Sequence, residues 1–353
     1  LIFSSQGVIM ESYQKDLFGD FQGQSILRYT FENDQGYHLS VMNYGATILE
    51  YQTPDKTGQF ANIILGFDQF KDYIGNSPKH GASIGPVAGR IAGASFELGG
   101  ETYHLEANNG QNCNHSGSTG WDSSVFQVEE VTDQGLIFYA ERRDGTGGFP
   151  GHLRIWITYS LSEQGELCIS YRVQTDRDSL INPTNHSYFN LSADFRQPID
   201  DHVFQVESLG VYPIAADGVP AKEPETRGFV KNLQQAMLLK DLFAERDEQI
   251  QLVSGLDHPF ALKPGHETAG FLYHQESGRF LTFKTEAPCL VVYTANCVDE
   301  GIRFAGQTMK QHNGVALEMQ ALPDAIHSHQ KDQVIVRAGQ EFTSTTTYHA
   351  IVK

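Results

Sequence analysis

From Leu153 to Leu161 every odd-numbered position is apolar (Leu153, Ile155, Ile157, Tyr159, Leu161), while the even positions hold Arg154, Trp156, Thr158 and Ser160. A period of two belongs to a strand whose side chains face opposite sides of a sheet, and it cannot serve a helix of period 3.6. After the polar stretch Ser162 to Glu166 the pattern resumes at Leu167, Ile169, Tyr171 and Val173. The two runs predict a β-hairpin. Shorter runs of the same kind lie at Tyr37 to Val41, Phe126 to Val128, Phe204 to Val206, Phe280 to Phe283 and Val334 to Val336. The Thr-rich tail, Phe342 to Tyr348, suits a closing strand, because β-branched residues pack well on a pleated surface. Helical patterning is confined to Gln69 to Tyr73 and Leu239 to Glu245. With 34 glycines and 13 prolines spread along 353 residues, the chain predicts a many-stranded all-β protein with long decorated loops. No repeat or linker interrupts it, so a single domain over residues 10–353 is expected. Leu1 to Ile9 precede the first methionine, Met10, and are read as a remnant of expression outside that domain.

Charge narrows the partners. Asp and Glu total 43 against 25 Lys and Arg, a formal charge of −18, which repels nucleic-acid phosphates and anionic lipid. A small neutral ligand is expected, with no nucleic acid and no membrane as partner. Four cysteines without a CxxC pair are too few for a disulfide scaffold at this length. Reduced thiols, the absence of an apolar run of 18 residues and no visible signal peptide all point to a cytoplasmic protein. The oligomeric state leaves no mark in the residues; a homodimer is carried as an expectation.

Phosphate-cradling GxxxxGK[ST] and GxGxxG motifs are missing, as are HExxH, paired Cys/His ligand sets and a GxSxG elbow. Neither a cofactor nor a metal is expected. Gly145 to Gly151 precedes a strand and reads as a turn. Polar and titratable residues cluster in four other segments: Gly85 to Ala92, Asn112 to Gly117, Asn182 to Asn190 and Ala316 to Gln320. His115 taken alone is a surface-loop histidine. His186, amid Asn185, Ser187, Tyr188 and Asn190, fits a lined polar pocket or a satisfied buried histidine. Arg90 after Gly89 could tether its loop, and Asp257 before His258-Pro259 could be a turn residue. Glu318 is the most telling, since a carboxylate inside the apolar run Val315-Ala-Leu is costly unless paired or functional.

In order and spacing, several stretches resemble the aldose 1-epimerase (galactose mutarotase) family: Asn43-Tyr-Gly-Ala46, Leu65-Gly-Phe67, Gly89-Arg-Ile91, Asn109-Gly…His115, Asp144-Gly…Phe149-Pro-Gly151, Thr184-Asn-His-Ser-Tyr-Phe-Asn190, Leu256-Asp-His258, Tyr293-Thr-Ala-Asn296 and Leu317-Glu…Pro323-Asp-Ala325. The resemblance runs from about Phe18 to the C-terminus. It implies a β-supersandwich of two large, mostly antiparallel sheets with an open cleft for sugar. By matching position it makes Glu318 the catalytic base and His186 the catalytic acid, with Arg90, His115 and Asp257 holding sugar hydroxyls. Three positions depart from the family pattern. Gly89 stands where an asparagine is frequent, His115-Ser-Gly117 replaces HGG, and Val291 lies near the position of a glutamine in some relatives.

The implied reaction interconverts α and β anomers of free hexoses such as glucose, galactose and, by extension, maltose. A base takes the anomeric proton while an acid protonates the ring oxygen, the C1–O5 bond opens, and rotation about C1–C2 precedes reclosure. His186 is expected to be protonated at working pH, favoured by nearby carboxylates and the acidic field. Asn114-His-Ser116 and Asn185-His-Ser187 read as glycosylation sequons on the site itself, which also fits a cytoplasmic chain. Two rivals share the fold: a hexose-6-phosphate 1-epimerase, which needs extra cleft cations, and a non-catalytic sugar-binding protein.

Overall fold

A computed structural model describes residues 13–75, 78–297, 303–304 and 307–353. The segment Leu1 to Ile9 lies outside them. The predicted hairpin forms as Leu153–Leu161 against Leu167–Thr175, with Ile157 opposite Tyr171 and Leu161 opposite Leu167. Every odd position of the first strand is buried, as the alternation requires. Trp156 falls on the other face, where the Arg172 guanidinium lies 3.6 Å from its ring centroid and shields it.

This hairpin belongs to a nine-stranded antiparallel sheet. Its order is Gln127–Val131, Gly135–Arg142, Leu153–Leu161, Leu167–Thr175, Glu341–Val352, Arg279–Thr285, Gly270–His274, His202–Val206 and Met237–Leu238. The Thr-rich tail is therefore the central strand of the sheet, joining its two halves. The second layer consists of two five-stranded sheets. One runs Tyr13–Phe21, Gln24–Glu32, His38–Met42, Thr47–Pro54, Phe60–Asn62; the other Tyr188–Phe189, Val315–Gln320, Cys289–Tyr293, Asp257–Leu262, Ser208–Val211. They meet where Ile64 bridges Phe189 and the Leu65 N–H donates to the Tyr188 carbonyl at 2.9 Å. One core contains inward residues of all three sheets, including Phe31, Val41, Ile157, Leu281, Phe189 and Leu317. The expected pair of large sheets is thus one nine-stranded layer facing a composite of five and five.

Ile157→Ala removes a side chain with no exposed surface from this core, and should lower unfolding stability by about 2–5 kcal/mol. Thr158→Ala, on the outer face, should stay within about 0.5 kcal/mol in the same urea titration.

The helical stretch at Leu239 appears as Leu239–Phe243, and that at Gln69 as a single 3₁₀ turn, Phe70–Tyr73. Two further helices, Gly228–Gln234 and Glu248–Val253, escaped the sequence reading. Neither exceeds two turns, too short for a 3.6-residue period to declare itself. The run ending at Val336 also shrinks to Ile335–Val336, with Val334 in a turn. No helix among the described residues is long and apolar enough to cross a membrane.

Candidate active site

Glu318 owes its place to strand alternation. In Val315–Gln320, Leu317 and Met319 enter the core between the layers, whereas Ala316, Glu318 and Gln320 face the opposite side. The strand is buried on both faces, so Glu318 interrupts an apolar run without pointing into the core. Register aligns its neighbours: Val291 pairs with both Glu318 and Pro259, and Tyr293 pairs with Asp257. These residues floor a cleft of about 530 Å³, within the ordinary size range for small-ligand sites.

The other walls come from loops. Asn185 and Thr184 pair with Ser83 and Ile84, and the His186 N–H donates to the Ala82 carbonyl at 2.9 Å, which fixes His186 at the edge of that floor. Its ring contacts Tyr188 and His115, with centroids 5.0 and 5.5 Å away. His186 Nε2 lies 3.4 Å from Glu318 Oε1, and both side chains are more than nine-tenths buried. Arg90–Ile91 pairs with Cys113–Asn114, bringing Arg90 beside His115. The Arg90 guanidinium reaches Asp257 at 3.8 Å and donates through Nε to Asn109 Oδ1 at 3.1 Å. All five residues singled out in the sequence, Glu318, His186, Arg90, His115 and Asp257, therefore line one cleft.

The departures from the family pattern have local explanations. At Gly89, φ is +72° and a Cβ would lie 2.7 Å from Pro323, so the Pro323 ring packs against bare backbone in the loop carrying Arg90. The Ser116 hydroxyl turns inward and both accepts from the Val87 N–H (2.9 Å) and donates to its carbonyl (2.8 Å). Val291 makes the floor beside Glu318 apolar.

Several lining residues were missed. Lys79 pairs with the buried carboxylate of Asp122 on the wall near His186. Its backbone is left-handed (φ +59°), a conformation no sequence pattern announced. Gln320 was detectable in principle, since it shares the two-residue phase of Glu318 on one strand, whereas Tyr293 reaches the cleft through the register that pairs it with Asp257. Ile214, Gly218 and Pro220 close the rim from a distant turn.

Electrostatics overturn the expectation that His186 is charged. Burial pushes the Glu318 carboxyl up to about 8, with Asp257 adding repulsion. It pushes the His186 imidazole down to about 4, and nearby Lys79 acts in the same direction. Desolvation outweighs the carboxylate field because both groups sit below the solvent-exposed rim. Both shifts disfavour the ion pair and favour the neutral one, with the carboxyl of Glu318 protonated and the His186 imidazole uncharged. His115 is likewise held neutral by burial.

Two groups among the described residues have the composition of a metal-ligand set: His115, His186 and Glu318, and Asp201, His202 and His274. Hydrogen bonds assign the tautomers of His115, His202 and His274. The Gly89 N–H donates to His115 Nδ1 (3.2 Å), leaving the ring proton on Nε2, a donor instead of a metal-binding lone pair. The Leu191 N–H donates to His202 Nε2 (2.9 Å), whose Nδ1–H then donates to Asp201 (3.0 Å). His274 donates to the same carboxylate at 3.0 Å. The second group is a carboxylate clamp joining two strands, and neither donor set suits a metal in these tautomers.

A carboxyl and an imidazole in contact beneath a polar, tyrosine-walled cleft on an antiparallel scaffold define an acid–base enzyme for a small polar ligand. The aldose 1-epimerase family profile matches residues 27–349. Galactose mutarotase of Sus scrofa is 32% identical over 345 residues, 96% of this chain and 98% of that protein. Aldose 1-epimerase of Escherichia coli (strain K12) is 29% identical, covering 94% and 97%. A crystal structure of galactose 1-epimerase from Lactobacillus acidophilus NCFM superposes with a TM-score of 0.86 at 26% identity, covering 97% of this chain and 99% of that one. The chain belongs to the aldose 1-epimerase family and is an isomerase with the galactose mutarotase-like fold.

Proposed function

We propose that this protein interconverts the α and β anomers of free, neutral hexoses such as glucose and galactose, with Glu318 as base and His186 as acid. The observation that carries the assignment is the 3.4 Å contact between these two buried side chains at the cleft floor. Sugar hydroxyls donating to Glu318 stabilise its carboxylate, and the displaced proton crosses that contact to His186. Glu318 then accepts the anomeric proton as His186 delivers one to the ring oxygen. The C1–O5 bond opens to the aldehyde, C1–C2 rotates, and the reverse transfers close the other anomer. Arg90 and the Nε2–H of His115 donate to sugar oxygens, Asp257 accepts from hydroxyls, and Tyr188 and Tyr293 offer aromatic surface to the sugar's C–H face.

Neutral sugar is favoured over hexose 6-phosphate because the cleft cations are already balanced: Arg90 faces Asp257 and Lys79 faces Asp122. Polarimetry of fresh α-glucose and α-galactose should show acceleration proportional to protein concentration, whereas glucose 6-phosphate should be turned over at least tenfold less efficiently. The reverse preference would reject the assignment. The four cysteines are all free thiols and Asn185 is buried, which supports a cytoplasmic setting, where neither disulfides nor N-glycans form.

The proton inventory makes a further prediction. The active pair carries one proton, so kcat/KM should fall as pH rises through about 8, where Glu318 loses it, and fall again below about 4, where His186 gains a second. Buffer-corrected rates between pH 3.5 and 9.5 would show both limbs. A profile flat through pH 9 would contradict the one-proton pair.

A further inference from the structure

The turn Ala215–Val219 leans over the rim of the cleft. It is closed by the Ala215 N–H donating to the Val219 carbonyl (3.0 Å) and the Gly218 N–H donating to the Ala215 carbonyl (2.8 Å). At Gly218, φ is +78° and a Cβ would lie 2.4 Å from Arg90 Cζ, so the guanidinium rests against bare backbone. The turn is tied down on one side by Asn112, whose side-chain amide donates to Asp217 Oδ2 at 3.1 Å.

On the other side it ends at Ile214, and both backbone groups of Ile214 are taken by one buried amide. The Ile214 N–H donates to Gln249 Oε1 (2.6 Å), and Gln249 Nε2 donates back to the Ile214 carbonyl (3.2 Å). Gln249 sits on the short helix Glu248–Val253, capped by Asp247, and does not line the cleft. Its Oε1 also lies 3.1 Å from His258 Nε2. His258 Nδ1 accepts the Asp257 N–H at 3.1 Å, which leaves the ring proton on Nε2 and makes it the donor to Gln249. A single side-chain amide thus holds the turn that backs Arg90 and the histidine that fixes the backbone of Asp257. Arg90 and Asp257 face each other across 3.8 Å.

We propose that Gln249 is a positioning residue for substrate binding, setting the separation of Arg90 and Asp257 from behind the cleft wall through Ile214 and His258. The proposal rests on the assignment of Arg90 and Asp257 to sugar hydroxyls. Glu318 and His186 stand on different segments with their own backbone hydrogen bonds, so loosening Gln249 should weaken sugar binding without slowing the proton transfers. Such a loss of binding shared by ground and transition states raises KM and spares kcat.

Gln249→Met keeps length and bulk but removes all three contacts; Gly218→Ala disturbs the Arg90 side of the same arrangement independently. With α-galactose, each should raise KM about tenfold and leave kcat within about twofold. If Gln249→Met keeps the wild-type KM, or loses kcat at unchanged KM, the proposal is overturned. Asp257→Asn measured alongside separates the two levels. A raised KM there with unchanged Gln249→Met and Gly218→Ala variants leaves the sugar-holding assignment standing and removes the role of Gln249. An unchanged KM for Asp257→Asn overturns both. If Gln249→Met does not fold, Gln249→Glu decides, since it keeps the acceptor contacts to the Ile214 N–H and His258 Nε2 and loses only the donation to the Ile214 carbonyl: a raised KM with kcat within about twofold supports the proposal, and an unchanged KM overturns it.

Discussion

Glu318→Gln is expected to lower kcat for hexose mutarotation by about 10²- to 10⁴-fold, the range for removing a positioned general base. The same variant should be more stable than the wild type, increasingly so as pH rises. The physical cause is the cost of ionising a buried carboxyl, whose pKa burial pushes up to about 8. In the unfolded chain the carboxyl titrates near pH 4.3. A group whose folded pKa is raised contributes its stability fully below the unfolded value and loses it as pH rises through the folded one. The wild type therefore loses stability between about pH 4.3 and 8, on the order of 5 kcal/mol by the upper end. Glutamine, of the same shape, loses none. Thermal unfolding at pH 5 and pH 8 should show the melting-temperature gap widening in favour of Glu318→Gln. A constant gap would mean the carboxyl is not held protonated.

His186→Gln should lower kcat over the same 10²- to 10⁴-fold range, with the opposite dependence of stability on pH. Its folded pKa is depressed to about 4 from an ordinary value near 6.5. The neutral imidazole contributes stability that is present above pH 6.5 and lost as pH falls through about 4. The variant should gain on the wild type toward acid, whereas Glu318→Gln gains toward base. Because the two side chains act as one proton-carrying unit, the double variant should be no slower than the slower single one. Additive losses would indicate that each works alone. If either single variant kept near-normal turnover, its assigned role would be wrong even though the family membership stands.

The two residues also show how much of the molecule was legible beforehand. The hairpin Leu153–Leu161 with Leu167–Thr175 was plain, because one face is core and the other is not. Glu318 was suspicious but ambiguous. Its strand is buried on both sides, so alternation between core and cleft does not appear as alternation between apolar and polar. The five cleft residues come from five separate segments, and only the ordered family resemblance related them before the fold did. The protonation of the pair was not legible. It depends on how deeply two residues 132 positions apart in the chain are desolvated, and the expectation of a charged His186 failed on that point. Lys79, Gly218 and Gln249 were invisible for a related reason. Their importance lies in a left-handed backbone, a missing Cβ and a pair of backbone contacts, none of which leaves a pattern in composition or spacing.

The most direct test of the Glu318–His186 assignment is the optical rotation of freshly dissolved α-galactose followed at pH 7 with no protein, with wild type and with Glu318→Gln. The wild-type trace should reach the equilibrium rotation faster in proportion to protein concentration, and the Glu318→Gln trace should stay within a few per cent of the buffer curve. A wild-type trace that coincides with buffer, or a Glu318→Gln trace that coincides with wild type, would contradict it.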